Sequence, residues 1–139
     1  MHPTHQHPLD IRWSDLDPNV HVRHSVYYDW GAQMRMKMLF DAGITMKLMK
    51  RHSVGVILME ENCRFRREVK WGDQPYMVSQ WTTIPENPQL FEFEHQLFKG
   101  EGVFCAEIKV RGAWMNTEQR KLSAPPLAIQ NLIDSALSE

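Results

Sequence analysis

His24 to Gly43 reads HSVYYDWGAQMRMKMLFDAG, and this stretch decides the architecture. Tyr27, Trp30, Gly31, Met34, Met38 and Ala42 recur at steps of three and four, the period of an α-helix, until Gly43 supplies a stop. Met36, Leu39 and Phe40 widen the apolar stripe beyond the band a surface helix carries. A helix apolar over so much of its circumference has to be covered on most sides, as it is when a sheet curls around it.

Downstream, Ile44 to His52 predicts a second, short helix with Met46 and Met49 facing inward. After Gly55 the pattern turns to β in four runs: VILMEENCRFRREV from Val56, QPYMVSQWTTI from Gln74, LFEFEHQLF from Leu90 and VFCAEIKVRGAWM from Val103. Turn residues separate them at Trp71-Gly72-Asp73, Pro85-Glu86-Asn87-Pro88 and Lys99-Gly100-Glu101-Gly102. Four long strands joined by short turns predict an antiparallel meander. In Leu90-Phe91-Glu92-Phe93-Glu94 the phenylalanines share one face and the glutamates the other, so one face is buried and one is wet. The tail LAIQNLIDSAL has helical spacing at Leu127, Gln130, Leu132, Ile133 and Leu137, which predicts a helix packed on the outside of the domain or against a neighbour.

Upstream, Leu9 to Trp13 alternates apolar and polar residues, a strand pattern that ends in the turn SDLDPN. Residues 1–8, MHPTHQHP, read as a flexible arm, and 9–139 as a single domain. His2, His5 and His7 lie near no cysteine or carboxylate pair, so no metal site is expected there. The order of strand, long buried helix and antiparallel strands is an α+β pattern in which one sheet wraps one central helix.

Composition excludes several classes. A 139-residue chain with 42% hydrophobic and 24% charged residues is ordinary globular material, enough for one core. A net charge of -1 offers no bulk attraction to nucleic acid. No apolar run approaches the roughly 20 residues of a membrane span, and the opening residues contain no secretory core, which predicts a cytoplasmic protein. Cys63 and Cys105 belong to no metal spacing and read as two reduced thiols.

Chemistry concentrates in WSDLDPNVHVRHSVYYDW, Trp13 to Trp30, where aspartates, histidines and aromatic residues crowd the entry to the helix. By residue type alone, Asp15 and Asp17 are turn or capping aspartates, His24 a helix-start residue, and Tyr27 and Trp30 core side chains. The segment nevertheless resembles the hotdog acyl-CoA thioesterases of the 4-hydroxybenzoyl-CoA thioesterase family. Their motif runs approximately D-x-D-x-x-G-x-V-x-x-x-x-Y, and Asp15, Asp17, Val22 and Tyr27 occupy matching places. FRREVKWGD, Phe65 to Asp73, is similar to the family strand that ends in a Gly-Asp turn, and the element order agrees from Leu9 to Met115.

The resemblance implies a hotdog fold and hydrolysis of an acyl-CoA thioester, without metal or organic cofactor. Asp17 would act as nucleophile or general base, and His24 would orient the thioester or shuttle a proton. Trp13, Arg23 and Tyr27 would contact substrate, with Trp13 lining an acyl pocket and Arg23 pairing with Asp17 or with an anionic substrate group. It also implies a homodimer or a dimer of dimers, joined through edge strands, in which a residue from Val54 to Glu61 completes the neighbour's site. Glu60 and Glu61 are the candidates there.

Two departures bear on this reading. Val20 stands where the family carries glycine, and Arg23-His24 replace an asparagine pair. Glycine permits a positive φ, so Val20 predicts a remodelled loop or weakened turnover. The alternative is a non-catalytic hotdog module that binds an acyl thioester or serves in assembly; a dehydratase would need a different histidine-carboxylate motif on the helix. Arg64, Arg66, Arg67 and Lys70 form a basic cluster that regular strand alternation would split between two faces, which reads as a solvated surface, with contact of some of them to the phosphates of CoA as the alternative.

Overall fold

The computed structural model describes residues 4–138. Strand β1 (Thr4–Pro8) leads through a short 3-10 turn (Trp13–Asp15) to helix α1 (His24–Asp41) and the short α2 (Met46–Arg51). Strands β2 (Val54–Phe65), β3 (Pro75–Thr83), β4 (Leu90–Lys99), β5 (Val103–Asn116) and β6 (Lys121–Leu122) follow, and α3 (Leu127–Leu137) closes the chain. The sheet is antiparallel in the order β1-β3-β4-β5-β2, with β6 added to β5. Its inner face meets α1, which buries Val26, Tyr27, Met34, Met38 and Leu39 in the same core as Met77, Trp81, Phe93, Leu97 and Ile108. This is the sheet-covered helix expected from the breadth of the α1 apolar stripe, and the α+β hotdog fold that the family resemblance implies.

Four expectations change. Strand pairing lies at Thr4–Pro8, not at Leu9 to Trp13, and the reading of residues 1–8 as a loose arm fails for that segment. Met1 to Pro3 lie outside the described residues. Polar composition concealed the strand because its pairing uses backbone groups: His5 and His7 alternate onto a half-buried face opposite Ser79 and Met77, while Gln6 is exposed.

The four long strands are also not a simple meander. Only β3, β4 and β5 run as consecutive neighbours; β2 pairs with β5, and residues 66–74 carry the chain across to β3. The Gly72 turn, with φ +95°, therefore bends a crossing segment and closes no hairpin. In α2, Met49 is buried but Met46 is exposed. In α3, Ile129 and Ile133 reach the chain's own core and Leu127 faces outward.

Helix α1 is seated on the sheet by polar groups as well as apolar ones. His95 of β4 is wholly buried, with Nδ1 2.5 Å from Ser79 Oγ and Nε2 3.2 Å from an Arg35 nitrogen. Arginine only donates, so Nε2 accepts and Nδ1 carries the proton to Ser79. Arg35 also donates to Glu61 at 3.3 Å, which links α1, β4, β3 and β2 in one chain of contacts. Gly31 allows this approach: a Cβ there would stand 3.2 Å from Arg35 Nη1 and 3.3 Å from the imidazole. Burial, reinforced by the Arg35 charge, pushes the His95 pKa down to about 3.

A histidine whose folded pKa lies below its unfolded value near 6.5 contributes stability that is complete above about pH 6.5 and erodes as pH falls toward the folded value. Between those limits the unfolded chain accepts a proton that the folded chain refuses, at up to about 1.4 kcal/mol per pH unit. Denaturant unfolding measured from about pH 7 to about pH 4 should show a steep loss for the native protein and a shallower one for His95→Gln. Parallel slopes for the two proteins would contradict this account.

Candidate active site

The loop ahead of α1 is organised by two aspartates with different duties. Asp15 is buried at 1% exposure. Its Oδ2 accepts the Arg12 N–H at 2.9 Å, and its Oδ1 accepts the Arg12 guanidinium at 2.8 and 3.1 Å. Burial by itself would raise this carboxyl, but the Arg12 hydrogen bonds and charge, with Arg23 further off, outweigh it and hold the pKa below the usual range. Asp15 is therefore an anchor, and its carbonyl also accepts the Arg23 N–H at 2.9 Å.

Asp17 caps its own turn on one side only. Its Oδ1 accepts the N–H groups of Asn19 at 2.9 Å and His21 at 3.0 Å, an arrangement to which short aspartate side chains are suited. No donor among the described residues reaches its Oδ2, so that oxygen is available to the adjoining cleft. Backbone bonds from Asp17 N to His21 O at 2.8 Å and from Val20 N to Asp17 O at 3.0 Å close the loop. Val20 adopts φ +66°, the left-handed conformation that glycine would take without strain. Val20 thus takes, under strain, the positive φ that a glycine at this position would permit.

The crossing segment braces this loop from outside. Val22 N–H donates to the Val69 carbonyl at 2.7 Å, Trp71 N–H to the Val20 carbonyl at 3.1 Å, and His21 forms a β-bridge with Lys70. The result is a cleft of about 300 Å³ lined by Asp17, His21, His24, Tyr27 and Phe65, with Arg66, Arg67 and Glu68 on its crossing-segment side.

The candidates named from the sequence separate here. Asp17, His24 and Tyr27 share the cleft. His24 is the first residue of α1 and sits edge-on to Phe65 at 6.5 Å between ring centres. Tyr27 is buried between Phe65 and Trp30, at 5.1 and 5.8 Å, and burial pushes its phenol up to about 12. Arg23 is the N-cap residue of α1; its guanidinium donates to the Ser14 carbonyl and to Ser25 Oγ, so it fastens the turn and makes no ion pair with Asp17. Trp13 is 71% exposed, packs edge-on against Trp71 and lines no part of the cleft. Glu61 turns inward to Arg35, while Glu60 is exposed.

Sequence reasoning missed His21 and Phe65. His21 Nδ1 lies 3.3 Å from Glu68 Oε2, a pairing created by the crossing segment and without a local signal in the chain. Burial pushes the Cys63 thiol up to about 11, which leaves it a poor nucleophile near neutral pH. Helix α1 starts without a side-chain cap and with no acidic residue in its first turn; the Val26 N–H donates to the Arg23 carbonyl at 3.0 Å, and the N–H groups of His24 and Ser25 have no acceptor among the described residues. A second, apolar cavity of about 180 Å³ lies between α1 and the sheet, lined by Arg35, Met36, Leu39, Ile57, Phe91 and Phe93 among others.

A sheet wrapped on one helix, with a braced carboxylate loop at the helix start, is the frame of a hotdog thioester hydrolase. A family model described as the thioesterase-like superfamily matches residues 11–133, and the chain belongs to that superfamily. No curated protein matches it. Among solved structures, the hypothetical protein SAV2348 of Staphylococcus aureus, in complex with CoA, is similar with a TM-score of 0.84 and 15% identity, over 98% of this chain and 85% of that one. Slr0204 of Synechocystis, a 1,4-dihydroxy-2-naphthoyl-CoA thioesterase, gives 0.84 at 13% identity over 95% and 96%. The 12:0-ACP thioesterase of Umbellularia californica gives 0.84 at 14% identity over 96% and 54%. Identities this low speak for the fold.

The strain at Val20 is measurable. Relief of a left-handed β-branched residue, of order 1–3 kcal/mol, less the added chain entropy of glycine, leaves Val20→Gly more stable by about 1 kcal/mol. Denaturant midpoints of the two proteins test this, and an unchanged or lower midpoint would mean that the residue is not strained.

Proposed function

We propose that the protein hydrolyses an acyl-CoA thioester, with Asp17 supplying the reacting carboxylate. The observation that carries this reading is the division of labour within that side chain, which lines the cleft: Oδ1 is held by two backbone N–H groups while Oδ2 has no donor among the described residues. As general base, Oδ2 takes a proton from a water that attacks the thioester carbonyl; as nucleophile, it bonds to that carbon directly and water then cleaves the anhydride. Either route yields the free acid and CoA thiol. The leading N–H groups of α1 are the oxyanion donors, and His24, beside them, returns the proton to the departing sulfur. Tyr27 and Phe65 wall the cleft.

A binding-only reading rests on Val20 and on the missing asparagine pair; against the first, Val20 takes the positive φ that a glycine would permit. In a screen of short, long and aromatic acyl-CoAs, at least one should release thiol. Asp17→Asn keeps an acceptor for Asn19 and His21, so the loop survives while the base is lost. We expect a fall in turnover of about a hundredfold or more with no loss of stability. Full turnover by this variant would end the assignment.

The acyl group is proposed to enter the apolar cavity of a partner subunit. Arg35, at that cavity, is about 16 Å further along α1 than His24, too far for a short acyl group bound in one chain. The outer edge of β2 is unpaired, with Leu58 and Met59 exposed beside it. Antiparallel pairing of two such edges about Glu61 would bring the cavity end of one β2, at Ile57, against the cleft end of the other, at Phe65. Sedimentation should give a dimer, twice 16.4 kDa, or a pair of dimers. A monomer with full activity would overturn this arrangement.

A further inference from the structure

Regular alternation separates Arg66 and Arg67, yet both line the Asp17 cleft. Strand β2 stops at Phe65, and the Cys105 carbonyl accepts the N–H groups of both Arg66, at 2.8 Å, and Arg67, at 3.0 Å. Two successive donors on one acceptor turn the chain, so the period-two rule no longer applies. The Arg66 guanidinium lies over the Phe104 ring at 5.6 Å, where the ring face restrains a delocalised cation without neutralising it.

Neither Arg66 nor Arg67 has a carboxylate partner among the described residues, in contrast to Arg12, Arg35 and Arg111. The remaining carboxylate on that side of the cleft, Glu68, lies against His21. The cleft therefore presents one free carboxylate oxygen and, on the crossing segment, two uncompensated guanidinium groups. That pairing suits a substrate whose reacting carbonyl and whose anionic groups sit at opposite ends of a flexible arm.

We propose that Arg66 and Arg67 form the subsite for the phosphate groups of the CoA portion, a refinement that rests on the acyl-CoA reading above. Both side chains are exposed; Arg66 is pre-oriented by Phe104, and Arg67 completes the clamp. Guanidinium groups bind phosphate through paired N–H donors, which lowers KM for substrates that carry the nucleotide and does nothing for those that lack it.

The test compares one acyl group carried on CoA and on N-acetylcysteamine, which keeps the thioester and lacks phosphate. In the double variant Arg66→Gln/Arg67→Gln, the preference for the CoA thioester, as a ratio of kcat/KM values, should fall about tenfold or more, mainly through KM. Arg67→Lys in the Arg66 background should retain part of it. Added salt should raise KM for the CoA thioester in the native protein and have little effect in the double variant, a response that a merely structural role would not produce. A ratio preserved within about twofold overturns the subsite.

If the native protein hydrolyses neither thioester, the hydrolase reading fails and calorimetry decides the subsite separately. Free CoA should bind the native protein and bind the double variant about tenfold or more weakly. Equal affinity, or no binding to the native protein, rejects the proposal. Dephospho-CoA in the same titration distinguishes the ribose phosphate from the diphosphate as the group recognised.

Discussion

One backbone hydrogen bond, from Val22 N–H to the Val69 carbonyl, ties the carboxylate loop to the segment that carries the chain from β2 to β3. Val69 is fully buried, so the anchor is fixed by the core and not by solvent-exposed turn chemistry. The segment is itself braced: Asp73 accepts the Lys70 N–H at 2.9 Å and pairs with Lys99 at 3.2 Å, and Lys99 also donates to the Glu68 carbonyl. Removing the crossing would leave Asp17 on a turn held only by its own local bonds. With it, the orientation of that turn is inherited from a six-stranded sheet.

Charge within the molecule follows the same logic of support. Each buried ionic group has a partner whose task is structural: Asp15 holds Arg12, and Arg35 holds Glu61 and leans on a neutral His95. Such pairs contribute little net stability relative to apolar packing, but breaking one strands its partner out of water. Three groups without an ion-pair partner among the described residues, Asp17 Oδ2 and the two arginines of the crossing segment, belong to side chains that line the cleft.

The breadth of the α1 stripe was legible because a helix can satisfy all its backbone bonds locally, leaving burial as the only cause of apolar residues on most of its faces. The four long strands were legible for a similar reason, since period two marks a pleated surface whatever its neighbours. Asp17 was legible through the spacing from Asp15 to Tyr27, and the helix start at His24 through the same segment. Strand order, the pairing of β1, the His21–Glu68 contact and the shared cleft of Arg66 and Arg67 were not. Each joins residues distant in the chain or breaks a period, and a linear pattern holds no record of either.

Sequence by itself thus determined the long helix and the long strands of this protein, because local geometry and hydrophobic period are written in neighbouring residues, and it proposed Asp17 only through the likeness of the Asp15-to-Tyr27 segment to a family motif. Tertiary structure alone decided which carboxylate oxygen stays free, that Val20 takes the positive φ a glycine would permit, and that Trp13 and Arg23 stand away from the cleft. Those outcomes depend on which strand pairs with which and where the crossing segment lands, and they are settled only when the whole core is packed.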